Sequence, residues 1–247
     1  MSIYKNQILS KVTIINGIIA SLFIFLLASQ QLLAAPMNRA VQLSDGDYLN
    51  IADEEQVGLD ISGDMTIAMW VKPTTLEGNM ALISKWNRAD KTSYILFLEE
   101  GLVGVHLNDE PSGYDYSRLF ALHGKNANEW FQVAMVYNAA STSIELFVNG
   151  VSIGMSYEVP SSISNTDADF VIGGREDRIA PFSGKIDDVI IFNRALSHSE
   201  ITSLYNKPKS LLNDIAIQGF WRFNNDLLDE SSNSNDLGPK FSNDVPL

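Results

Sequence analysis

The chain has no cysteine in its 247 residues. That excludes every disulfide, every thiolate metal site and a lipid-anchored N-terminal cysteine. Histidine is almost as scarce. His106, His123 and His198 are the three present, too scattered to read as a zinc site. No Gly-rich phosphate loop occurs. Positive charge is also short: 17 lysines and arginines stand against 30 aspartates and glutamates, for a net charge of −13. Such acidity argues against nucleic acid or an anionic membrane as partner, and fits calcium, neutral glycans or plain solubility.

The first thirty-five residues carry the layout of a secretory signal. Lys5 and Lys11 precede an apolar run from Val12 to Ala28, and small residues follow at Ala34 and Ala35. Residues 1–35 are therefore predicted to be a cleaved signal peptide, an uncleaved membrane anchor being the alternative for a run just short of spanning, and residues 36–247 one domain of an exported protein, secreted or periplasmic and bacterial, with no membrane insertion after cleavage. Loss of Lys5 and Lys11 takes the charge from −13 to −15.

What remains reads as strands separated by turn chemistry. In "MTIAMWVKP" the residues Met65, Ile67, Met69 and Val71 share one side. "MALISKW", "SYILFLEE", "LVGVHLN" and "WFQVAMVYN" follow. In "SIELFVNGVSIGMS" the pair Asn149-Gly150 suits positive φ at both centres of a type I′ hairpin. "DFVIGG" and "GKIDDVIIFN" supply two more strands, and Ile215 to Phe223 a closing one. Short strands at this spacing predict an all-β, two-sheet antiparallel jelly-roll sandwich. One helix is expected in "LSHSEITSLYN", where Ser197 and Glu200 form a capping box and Ile201, Leu204 and Tyr205 share a face. Trp70 and Trp130 are expected in the core. Asp187 and Asp188 pose a question, since strand carboxylates must meet solvent, donors or a metal.

In order, "MNRAVQLSDGDYLNI", "MTIAMWVKP", "ALISKW", "EWFQVAMVY", "IELFVNG", "FVIGG", "FSGKIDDVIIFNRALSHSEITSLY" and "GFWRFNN" resemble the laminin-G-like, concanavalin A-like jelly-roll domains. The resemblance implies a binding or adhesion module, often with one structural calcium. It places the "IDDV" strand near the early "DG" turn. It therefore suggests Asp45 and Asp187 as calcium ligands, with Asp47 and Asp188 as second choices. Strand alternation would set Asp187 with Val189 and Ile191, and Asp188 with Ile186 and Ile190.

The same fold hosts glycan-cleaving enzymes. A retaining glycosidase needs two carboxylates about 5 Å apart, carried on this fold as E-x-D-x-x-E. No glutamate here is followed two places later by aspartate. Neither His106 nor His198 has the Tyr, Arg and Gln of a lyase around it in the sequence. The expectation is thus a non-catalytic module, calcium-stabilised, that recognises a glycan or a surface protein. The alternatives are a polysaccharide lyase or hydrolase with an unrecognised site, or a structural part of an envelope assembly. Aromatic and polar loop residues are the candidate ligand contacts: Trp86, then Tyr114, Asp115, Tyr116 and Arg118, then Arg175.

Overall fold

Alternation along the strands decides which residues face the space between two sheets. In the computed structural model, residues 39–44, 46–87, 91–110, 117–206, 211 and 213–241 are described. The expected signal segment lies outside them, as do Asp45, Tyr114, Asp115 and Tyr116.

The strands are β1 (Val41–Leu43), β2 (Tyr48–Ile51), β3 (Met65–Pro73), β4 (Asn79–Asn87), β5 (Lys91–Glu99), β6 (Leu102–Leu107) and β7 (Ser117–Leu122). They continue with β8 (Phe131–Asn138), β9 (Ser143–Val148), β10 (Val151–Ser156), β11 (Phe170–Ile172), β12 (Gly184–Phe192), β13 (Ile217–Trp221) and β14 (Gly238–Lys240). One sheet runs β1-β12-β3-β8-β9-β10, with β13 also paired to β12. The other runs β14-β2-β11-β4-β5-β6-β7, and all pairings are antiparallel. This is the expected two-sheet jelly roll.

Met65, Ile67, Met69 and Val71 meet Leu82, Leu96, Val105 and Phe170 in the shared core between the sheets. The β9–β10 hairpin turns through Asn149 and Gly150 at φ 51° and 77°, the conformation their sequence favours. Gly173, at φ +82°, lies so close to Leu43 that a Cβ there would sit 2.1 Å from its Cδ1. The closing strand β13 lies on the edge of β12 that β1 also uses. The polar tail adds one strand that alternation does not announce, β14, on the edge of the second sheet.

Helix α1 (His198–Asn206) opens on a complete capping box. Ser197 N–H donates to Glu200 Oε2 at 2.8 Å, and Glu200 N–H donates to Ser197 Oγ at 3.4 Å. Its Ile201 and Leu204 pack with Ala68, Ala134, Phe147 and Ile190 on the outer face of the first sheet. Trp70 belongs to this face and not to the inter-sheet core. It is half-buried and stacks on Tyr205 at 5.5 Å. Trp130 too is half-buried. Alternation gives a strand two faces, but it does not say that a helix covers the second. No described helix is long and apolar enough to cross a membrane.

Lys85 is the one buried lysine among the described residues, at 0% exposure. Its neighbours across the ladder, Phe170 and Tyr94, are inter-sheet core residues. Its Nζ reaches Asp53 and Asp60, each at 2.6 Å. The segment 53–60 thus closes one end of the sandwich over a paired charge.

Candidate functional site

Strand β12 carries a bulge at its aspartates. Asp187 lies opposite Trp70 and Ile190 opposite Ala68, so three steps on β12 match two on β3. Asp188 takes φ 45° there, a left-handed conformation that aspartate tolerates better than most residues. The extra residue breaks the expected alternation. Ile186, Val189 and Ile191 all face the inter-sheet core, and Asp187 instead shares the outer side with Trp70. Its carboxylate is 2% exposed and accepts the Asp188 N–H at 2.9 Å. Asp188 lies 3.8 Å from Arg222.

The register also decides which carboxylates can meet. Val41 pairs with Ile186 and Leu43 with Gly184, so β1 runs away from Asp187 before the turn containing Asp47. Three residues of strand, roughly 10 Å, separate Gly184 from Asp187. Asp47 N–H donates to Ser44 O at 2.8 Å in that turn. Among the described residues no group of three His, Asp or Glu side chains could hold a metal ion. Asp45, the first-choice ligand, lies outside the described residues.

A different face gathers the other candidates. Across the outer side of the second sheet one row reads Asn50, Val171, Ser84, Ile95, His106, Arg118. The next row reads Ala81, Phe97, Gly104, Phe120. Gly104 is required, since a Cβ there would lie 2.4 Å from Phe97 Cζ. The Phe97 ring therefore lies across the neighbouring strand and touches His106 edge-on at 4.7 Å. Phe120 stands 5.4 Å from Phe97 and 5.7 Å from His106, and Trp86 stands 6.0 Å from His106. Four rings from four strands thus form one floor. Trp86 belongs to strand β4, is 7% exposed and packs with Ala81, Ile95 and Phe97, whereas His106 and Phe120 are half-buried.

Two arginines flank this floor. Arg118 is exposed and directly opposite His106 on β7. Arg175 follows Gly174, whose carbonyl accepts the Ser84 hydroxyl at 2.9 Å, which anchors the 173–178 loop above β4. Arg175 Nη2 donates to Asp177 Oδ2 at 2.6 Å, and Arg175 Nε is buried without a hydrogen-bond partner. From β4 to β7 is three strand spacings, about 14 Å, the width of one or two sugar rings. His106 feels the enclosure. Burial foremost, then Arg118 and Arg175, lowers its pKa to about 4. The imidazole is neutral between two cations.

Residues 43–202 match the family model described as the concanavalin A-like lectin/glucanases superfamily. The chain belongs to that superfamily. Solved structures share the fold at low identity. The Ruminococcus gnavus IT-sialidase CBM40 bound to α2,3-sialyllactose superposes with a TM-score of 0.56 at 19% identity, over 68% of this chain and 96% of that one. A Bacteroides ovatus protein described as carbohydrate-binding gives 0.59 at 16%, over 81% and 59%. The anhydrosialidase of Macrobdella decora is 28% identical over 152 residues, 55% of this chain, and the chain spans only 20% of that enzyme's length.

Of the ligand contacts expected from sequence, Trp86, Arg118 and Arg175 converge on this one face, although they are distant in the chain. His106, Phe97 and Phe120, which lie beside them, are not among the sequence candidates. Their alternation in "SYILFLEE", "LVGVHLN" and "SRLFAL" puts them on one phase, but only strand register places them side by side.

Proposed function

We propose that this chain is a non-catalytic glycan-binding module, exported to the cell exterior or periplasm, which takes an acidic sugar on the outer face of its second sheet. One observation carries the reading: Arg118 and Arg175 approach His106 from opposite sides above an aromatic floor. Ring surface suits the apolar side of a sugar, and guanidinium groups suit a carboxylate. Two arginines gather at one spot on a chain of net charge −13, one of them paired with Asp177. Superfamily membership supports a glycan as ligand, and the fold's likeness to a module solved with sialyllactose supports an acidic one. Among the described residues Asp177, the carboxylate beside Arg175, is engaged as an ion pair and as acceptor of the Ile179 N–H at 3.1 Å, which favours a binding role over an acid-pair reaction.

The test is titration calorimetry of α2,3-sialyllactose and lactose against the wild-type chain, Arg118→Ala and Arg175→Ala. Binding of the acidic sugar, weakened tenfold or more in each variant, with little affinity for lactose, is the expected result. Equal affinity for both sugars would remove the acidic ligand from the proposal. Release of a cleaved product from an acidic oligosaccharide would overturn the non-catalytic part.

A further inference from the structure

We propose that docking of a carboxylate between Arg118 and Arg175 is coupled to protonation of His106, so that this face holds acidic sugars more tightly as pH falls. The inference rests on the acidic-glycan reading above and goes beyond it, since a site of two permanently charged arginines has no reason of its own to respond to pH.

The geometry puts the imidazole at the centre of the basin. Arg118 faces it from β7 and Arg175 from the 173–178 loop, the latter with its partner Asp177. The other packed elements add no titratable group among the described residues: β5 gives Ile95 and Phe97, and β4 gives Ser84 and Trp86. Without ligand, both arginines act on His106 in the same sense as burial, against a proton, and its pKa falls to about 4. A carboxylate seated between the guanidinium groups offsets their field at the ring and adds a negative charge beside it. Both changes favour the imidazolium. One proton then moves from solvent to the ring, no bond is broken, and the ring gains a charge that attracts the ligand.

Linkage fixes the size of the effect. If the ligand returns His106 to its ordinary value near 6.5, affinity should rise about tenfold between pH 7.5 and 5.5, with close to one proton taken up at the lower pH. A sugar carboxylate stays ionised across that range.

The experiment is calorimetry of α2,3-sialyllactose on the full chain at pH 7.5, 6.5 and 5.5, in two buffers of different protonation enthalpy. It is repeated on His106→Gln, with the His106 ring signal followed by NMR with and without sugar. The expected result is a rise of about tenfold, proton uptake in the wild type and an upward shift of the ring titration on binding. The His106→Gln slope should be flat at whatever affinity that variant keeps. Binding that is pH-independent in the wild type would overturn the coupling and leave the glycan reading standing. A slope that persists in His106→Gln would overturn it as well. No binding at any pH would overturn the glycan reading and the coupling together. Should His106→Gln fail to fold, the buffer dependence and the ring signal of the wild type still decide.

Discussion

Lys85 allows the sharpest test of how the sandwich is held together. The lysine is 0% exposed, and its two partners, Asp53 and Asp60, have side chains 22% and 30% exposed. The triad is therefore unequal: removing the cation leaves two carboxylates that water can reach, whereas removing the carboxylates leaves a charge that water cannot. Lys85→Met keeps the volume and places an apolar chain among Tyr94, Phe170 and their neighbours. Stability should change by only about 1 kcal/mol in either direction. The double variant Asp53→Ala/Asp60→Ala should lose roughly 3–5 kcal/mol, the cost of an uncompensated buried charge.

For a domain near this size each kcal/mol moves the melting temperature by about 2–4 °C. The double variant should therefore melt roughly 6–20 °C lower, and Lys85→Met within about 4 °C of the wild type. Differential scanning calorimetry reads both. Equal, large losses in the two proteins would mean that the ion triad is itself a strong net stabiliser, and the argument from unequal burial would be wrong. The position matters for the site as well. A register shift separates Lys85 from Trp86, and with Lys85 drawn inward Trp86 packs with Ala81, Ile95 and Phe97 on the outer face.

Other perturbations follow from the same geometry. His106 and His123 both titrate below the ordinary histidine value because burial disfavours their charged forms. The unfolded chain therefore binds more protons on acidification. Their contribution to stability is complete above about pH 6.5 and is lost as pH falls towards the folded values, so Tm should fall from pH 7 to pH 5, and less steeply in His106→Gln. Asp187→Ala removes the acceptor of the Asp188 N–H. It should cost about 1–3 kcal/mol of stability, read as an equal fall in Tm in calcium and in chelator; a loss seen only in calcium would assign the carboxylate to a metal. Ser197→Ala breaks half of the capping box and should cost about 1 kcal/mol by chemical denaturation.

Much of this molecule was legible because its information is local. Alternation in "MTIAMWVKP" is a property of one strand, Asn149-Gly150 of one turn, and the Ser197–Glu200 box of one helix end, and all three are realised. Alternation sets Asp187 on the wrong face because a bulge inserts a residue without a compositional mark: Asp188 bears φ 45° without being glycine. Trp70 was misplaced for a different reason. Its phase was right, but α1 provides a second apolar face, so an outward tryptophan finds a partner in Tyr205.

The site lies at the far end of this scale, because its residues meet only through register. His106 and Arg118 are twelve positions apart and directly opposite when β6 and β7, joined in sequence by the 108–116 connection, pair in this register. Shortening that connection by one residue would slip β7, turn Arg118 towards the core and bring Leu119 out. The expected consequence is loss of acidic-sugar binding together with loss of stability, since a guanidinium would then press on the inter-sheet core. Shortening it by two keeps the phase, so Arg118 stays outside but shifts about 7 Å along the strand. That second variant should fold and fail to bind, and it separates the fold's demand for alternation from the site's demand for register. If it binds sialyllactose as the wild type does, Arg118 is not where recognition happens.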